Sequence, residues 1–229
     1  MPVRQDYPSG TACWLGHGAK DPVEAAAFYR ELFGWRLDAD PWGKGFQAML
    51  GEHQVANFAP APGAASWLVC LAGDVSAPPD GWRTRFGPVP LADIGRMVIA
   101  ADAGASVGVF TGSAGEAAVV AREPGASVGA WRLGPDAVSH AEAAVAGCGG
   151  TVTDRSDASG VRRLALGPDE ALWAVDDDGP PRWLPAFGVR RPADAASQVS
   201  AAGGVVVGSH GDALEVSDPS GARLILVSS

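Results

Sequence analysis

Three groups of side chains in this sequence could carry chemistry: four histidines, three cysteines and an unusual number of tryptophans. His17, His53, His140 and His210 show neither H-x-H nor H-E-x-x-H spacing, so no helix face or strand edge gathers them as zinc ligands. A surface or rim position is expected for each. Cys13, Cys70 and Cys148 lie far apart with no C-x-x-C. An odd count without an apolar leader segment ahead of it argues against a disulfide framework. No G-x-S-x-G elbow is present, and Gly95 and Gly203-Gly204 match no phosphate-cradling spacing. The acids nearest to inferred strands are Glu52, Asp93 and Glu215, and the sequence supplies a partner for none of them. Tryptophan is different: there are eight, against seven Phe and two Tyr. Trp14, Trp67, Trp131 and Trp183 recur near the starts of successive apolar segments. An indole on a strand offers a flat apolar wall and one N–H donor, which is the chemistry of stacking and cation–π contact.

The elements that must position these indoles are short and repeated. Asp21–Trp35 predicts a helix: Asp21 as N-cap, Pro22 in the first turn, Ala25, Phe28, Tyr29, Leu32 and Phe33 on one face, and Gly34 as the stop. Thr11–Gly16 before it, and Gly45–Leu50 and Gln54–Pro60 after it, read as strands. Ser66–Leu71 opens a second unit, but Ser76–Pro90 is too Pro-rich for a regular helix. Ile94–Phe110 reads as strand, tight turn, strand. Val128–Leu133 and Trp183–Val189 open a third and a fourth unit. Helices are expected near His140–Ala146 and Ala193–Ala201, each followed by Gly-Gly and a strand. The turns Asp102–Ala105, Gly167–Ala171 and Asp218–Ala222 separate paired apolar strands. Self-similarity at about fifty residues predicts four βαβββ modules, 11–62, 64–112, 128–178 and 182–229. A single module cannot bury both its helix face and its sheet face, so modules pair. The fold class is α+β, with domains 1–112 and 128–229 joined by a linker over 113–127.

The segment CWLGHGAKDPVEAAAFYRELFGW (13–35), with GRMVIAADAGA (95–105) and DPSGARLILV (218–227), resembles the vicinal oxygen chelate superfamily. That superfamily includes the glyoxalases, bleomycin-resistance proteins and extradiol dioxygenases. The resemblance covers nearly the whole chain, and the Pro-Gly-Ala within Glu123–Ala126 is similar to the linker of two-domain actinobacterial glyoxalase-like proteins. It implies two cup-shaped mixed sheets with flanking helices. It also implies that a metal, where present, is held by His, Gln or Glu on the first strands and Glu on the last strands. Counting back seven residues from the helix-cap Asp puts Trp14 at the first ligand position. The same count from Asp74 gives Trp67, and in module four it gives Trp183. The last-strand positions fall on Ile225 and on Gly108 or Val109. None of these carries a suitable ligand, so neither a metal nor any other cofactor is expected.

With tryptophan at those positions, each cup reads as an aromatic clamp for a planar or hydrophobic metabolite. The expected lining is Trp14, Gly16, Gln47, Met49 and Trp67 in the first domain, and Trp131, Trp173, Trp183 and Phe187 in the second. Sequestration or self-resistance is the role that the resemblance to bleomycin-resistance proteins implies. The alternatives are a lyase, isomerase or hydrolase using acid–base residues in the same cup, and a degenerate interaction module whose indoles only fill space. The expected partner is a small molecule. With 17 Lys+Arg against 26 Asp+Glu and a net charge of −9, neither nucleic acid nor an anionic membrane surface is an expected partner. No apolar run approaches a membrane span. A cytoplasmic monomer or homodimer is expected.

Overall fold

The computed structural model describes residues 7–40, 43, 45–76, 81–91, 95–102, 104–112, 123–167 and 171–229. Asp93, most of the linker and the centre of the Gly167–Ala171 turn lie outside these residues. The described chain is α+β. Its elements, in order, are β1 Ala12–Ala19, α1 Pro22–Phe33, β2 Arg36–Ala39, β3 Phe46–Leu50, β4 His53–Pro60, β5 Ser66–Ala72, β6 Arg83–Leu91, β7 Gly95–Asp102 and β8 Ala105–Gly112. The second half continues with β9 Ser127–Gly134, α2 Ala137–Gly147, β10 Asp154–Ala158, β11 Val161–Ala165, β12 Ala171–Asp176, β13 Arg182–Val189, α3 Pro192–Ala201, β14 Val205–His210, β15 Ala213–Ser217 and β16 Arg223–Ser228.

The strands form two eight-stranded sheets with one topology, β2-β3-β4-β1-β5-β8-β7-β6 and β10-β11-β12-β9-β13-β16-β15-β14. Within every four-strand block the first strand lies parallel to the last: β1 to β4, β5 to β8, β9 to β12 and β13 to β16. Blocks join antiparallel through their first strands, β1 to β5 and β9 to β13. Module one therefore pairs with module two, and module three with module four, each pair curling into a cup.

Helix α1 forms as its sequence dictates. Asp21 accepts from the Val23 and Glu24 amides at 3.0 Å each, and Gly34 ends the helix at φ 72°. In module two no helix occurs among the described residues between β5 and β6. Asp74 caps only a local turn, through the Ser76 amide at 2.8 Å. The Pro-rich stretch instead forms β6, an exposed strand at the sheet edge, where a proline that cannot donate to a ladder is tolerated. No helix among the described residues is long and apolar enough to cross a membrane.

Alternation along the strands divides the side chains between two faces. On β1, Leu15, His17 and Ala19 face α1, while Trp14 and Gly16 face the cup. The α1-side residues of both sheets merge into one core that runs between them, with β5 lying against β13. Its centre is aromatic. Phe187 of β13 reaches across to Trp35, Trp67 and Phe33, with ring centroids at 5.2, 5.4 and 5.5 Å. Tyr29 stacks on Trp35 at 5.4 Å.

Candidate functional site

Register decides which expected residues meet in a cup. In the first sheet Trp14 pairs with Cys70, and Gly16 pairs with Leu68 on one side and Asn57 on the other. Asn57 in turn pairs with Gln47, and Met49 pairs with Gln54. Directly paired residues share a face, so Trp14, Gly16, Gln47 and Met49 line one cup. Trp14 packs on Phe110 at 5.4 Å. The Gln54 side-chain amide donates to Asn57 Oδ1 at 2.6 Å, adding a polar strip beside the indole.

Trp67 is not in that cup. It pairs with His17 and lies on the opposite face, in the core between the sheets. Trp183 pairs with Arg132 in the second sheet, and it joins the same core together with Phe187. These three correct the expected lining. The seven-residue count assumed a helix cap at Asp74, where no helix starts. In module four α3 begins at Pro192 behind Arg191 rather than an Asp. An odd error in a strand count moves a side chain to the other face.

His17 is also corrected. It points toward α1 but is buried, not at a rim: Nε2 meets Asp218 Oδ2 at 2.9 Å, and both side chains are fully covered. The Tyr29 hydroxyl donates to the same oxygen at 2.8 Å and accepts from Trp67 Nε1 at 2.9 Å. Burial alone would raise the Asp218 carboxyl. The bonds from His17, Ser220 and Tyr29 outweigh it and hold the group below the usual carboxylate range. Burial first, then the charge and hydrogen bond of Asp218, push the Tyr29 phenol well above its ordinary value. This network joins the two halves of the chain and opens into neither cup.

The second cup does bring two expected indoles together. Trp131 and Trp173 pair directly across β9 and β12 and stack with centroids 6.0 Å apart and planes 15° from parallel. The Trp173 ring packs against Gly129, at φ 140°, where a Cβ would come within 2.6 Å of it. His210 approaches Trp131 at 5.9 Å. Beside Trp173 lies a cavity of about 400 Å³, bordered by Val128, Arg163, Val227 and Ser228. A further cavity, of about 450 Å³, lies where α1 meets α3 and belongs to neither cup. There the Arg191 guanidinium is already paired with Asp194 at 2.6 Å.

The same cup contains a charged row that the sequence did not reveal. Arg182, Arg223, Glu215 and His210 stand on β13, β16, β15 and β14, four neighbouring strands. Glu215 is 3% exposed. Its carboxylate meets Arg223 Nε at 3.1 Å, His210 Nε2 at 3.0 Å and Arg182 at 3.4 Å. Burial would raise this carboxyl, but the bonds from His210 and Arg182 and the two guanidinium charges hold it below its ordinary value. The available signal was an acid inside the apolar strand ALEVS (213–217), since a buried charge requires partners. Those partners are distant in sequence.

The metal positions of the resembled fold can be tested on the seams where first and last strands run side by side. The cup-facing pairs there include Gly16 with Asn57, Cys70 with Gly108, Trp131 with Trp173, and Ala186 with Ile225. None offers an imidazole or a carboxylate. Burial pushes the Cys70 thiol up to about 12, and its seam partner Gly108 brings no second donor. Among the described residues no three His, Cys, Asp or Glu side chains gather into a possible metal site. These seam pairs thus present one amide and one buried thiol, and no imidazole or carboxylate.

No family model matches the sequence, and no curated protein matches it. Solved structures do match. The chain is similar to a Mn(II)-bound glyoxalase from Novosphingobium aromaticivorans, with TM-score 0.66 and 15% identity over 96% of this chain and 82% of that one. It is similar to homoprotocatechuate 2,3-dioxygenase from Arthrobacter globiformis, with TM-score 0.63 and 15% identity over 100% and 82%. An extradiol ring-cleaving dioxygenase from B. fuscum gives TM-score 0.63 and 16% identity over 99% and 75%. The chain shares the two-domain fold of these solved structures.

Proposed function

We propose that this protein binds a planar or hydrophobic small molecule without a metal ion, in the Trp-lined cup of its second domain, and that it acts by sequestration. The observation that carries the reading is the Trp131–Trp173 stack beside an accessible cavity of about 400 Å³, a volume suited to a small organic ligand. The cup-facing seam pairs support the metal-free part, because indoles form one and the others carry Gly, Asn, Cys, Ala and Ile, with no imidazole or carboxylate. Trp14, Gly16, Gln47 and Met49 form a second, more polar cup of the same design. Each cup is built within one chain, so the reading holds for a monomer or a homodimer. Titrating Trp fluorescence with a panel of conjugated small molecules tests it. Binding that is weakened by Trp173→Phe and unaffected by Trp14→Phe supports the second cup. A panel with no ligand, or binding insensitive to Trp173, speaks against it.

One observation favours a second reading. His210 is held by a buried carboxylate beside the indole stack, an arrangement that could orient an imidazole for proton transfer. It predicts turnover with a bell-shaped pH profile, abolished by His210→Gln.

A further inference from the structure

The second cup contains three arginines among its described residues, and they are not equivalent. Arg182 and Arg223 both engage Glu215. Arg163 stands on β11 directly across from Trp173, is half-buried, and borders the cavity beside that indole. No carboxylate among the described residues pairs with it. A half-buried guanidinium without an anion has given up part of its hydration and gained no Coulomb partner. In a chain of net charge −9, such a group is a local exception.

We infer that the cavity beside Trp173 takes an aromatic carboxylate, with its ring against the Trp173 indole and its carboxylate on the Arg163 guanidinium. The inference rests on the Trp-lined-cup reading and narrows its ligand class. The guanidinium is a planar five-donor fork that matches a carboxylate in bidentate geometry. Val128 and Val227 supply apolar flanks for a ring, and Ser228 lies at the border with a hydroxyl. Glu215 does not oppose the anion, because Arg182, Arg223 and His210 already surround it. The cavity volume suits a one- or two-ring acid.

Isothermal titration calorimetry with 2-naphthoate and its uncharged amide, 2-naphthamide, tests this on the full chain and on Arg163→Gln, Trp173→Ala and Trp173→Phe variants. The expected result is that 2-naphthoate binds at least about tenfold more tightly than the amide, as a charge-assisted bidentate pair should. Arg163→Gln removes that advantage and leaves amide binding within about twofold, and added salt weakens only the acid. Trp173→Ala loses both ligands; should that variant not fold, Trp173→Phe weakens both. Equal binding of acid and amide, with Arg163→Gln changing neither, overturns the carboxylate inference and leaves the indole platform standing. Binding that ignores Trp173, or no binding of either probe to the wild type, overturns the cup reading and this inference with it.

Discussion

His17 and Asp218 are 201 residues apart and meet at 2.9 Å with both side chains fully buried. One stands on the first strand of the first sheet, the other in the turn before the last strand of the second. Asp218 Oδ1 accepts from the Ser220 and Ala222 amides at 2.9 Å each, which shapes its own turn. Oδ2 takes His17 and Tyr29. One carboxylate therefore fixes a hairpin and fastens it to the other domain.

Removing that carboxylate should be costly. Asp218→Ala strands the Tyr29 hydroxyl, the His17 ring and the Ala222 amide in a buried setting. Breaking a buried charged network costs about 3–5 kcal/mol. Tyr29→Phe keeps the ring packing but deprives Trp67 Nε1 of its acceptor, which costs about 1–3 kcal/mol. Urea unfolding followed by far-UV circular dichroism measures both. A loss below 1 kcal/mol for Asp218→Ala would show the network to be incidental.

The pH dependence follows with a definite sign. Asp218 and Glu215 are held below their ordinary values in the folded state. Their contribution is present above the unfolded carboxylate range, roughly pH 4, and is lost as pH falls through the folded values. The unfolded chain binds more protons there, so stability declines toward acid. Tyr29 acts at the other end. Its raised value favours the neutral phenol, so its contribution is present below about pH 10 and is lost as pH rises beyond. Asp218→Asn should flatten the acid limb of the urea midpoint between about pH 5 and 3. An unchanged slope would remove Asp218 as its source.

Much of the fold was legible because it is written locally. The Asp21 cap, the Gly34 stop, the repeated turns and the apolar alternation each act over a few residues. Trp14 could be assigned to a cup because α1 gave a firm anchor for counting. Trp67 and Trp183 could not, since a side chain's face depends on strand register, and their anchors were a turn at Asp74 and a helix begun by Pro192. The Glu215 row and the His17–Asp218 contact were less legible still. Each is assembled by strand order or domain packing, which no short window of sequence encodes.

Gly129 provides a local test of the indole stack. Its φ of 140° and the 2.6 Å approach of the Trp173 ring leave no room for a methyl group. Gly129→Ala should destabilise the protein by about 1–3 kcal/mol through overpacking and displace Trp173 from Trp131. Near-ultraviolet circular dichroism, which reports on paired indoles, should lose intensity while the far-ultraviolet spectrum is retained. An unchanged near-ultraviolet spectrum would mean that the stack does not rely on this glycine.

Added metal should leave stability unchanged. The four seams present Gly16 and Asn57, Cys70 and Gly108, Trp131 and Trp173, and Ala186 and Ile225, which give a divalent ion no imidazole and no carboxylate. A ligand that binds only the folded state, at a hundred times its Kd, stabilises by about 2.7 kcal/mol. For a protein of this length that corresponds to a rise in Tm of roughly 5–10 °C, which differential scanning calorimetry resolves easily. The expected result with Mn²⁺, Zn²⁺ or Fe²⁺ is no rise in Tm, and no fall after dialysis against a chelator. A saturable increase of several degrees with one of these ions would show that other side chains supply a site, and the metal-free reading would be abandoned.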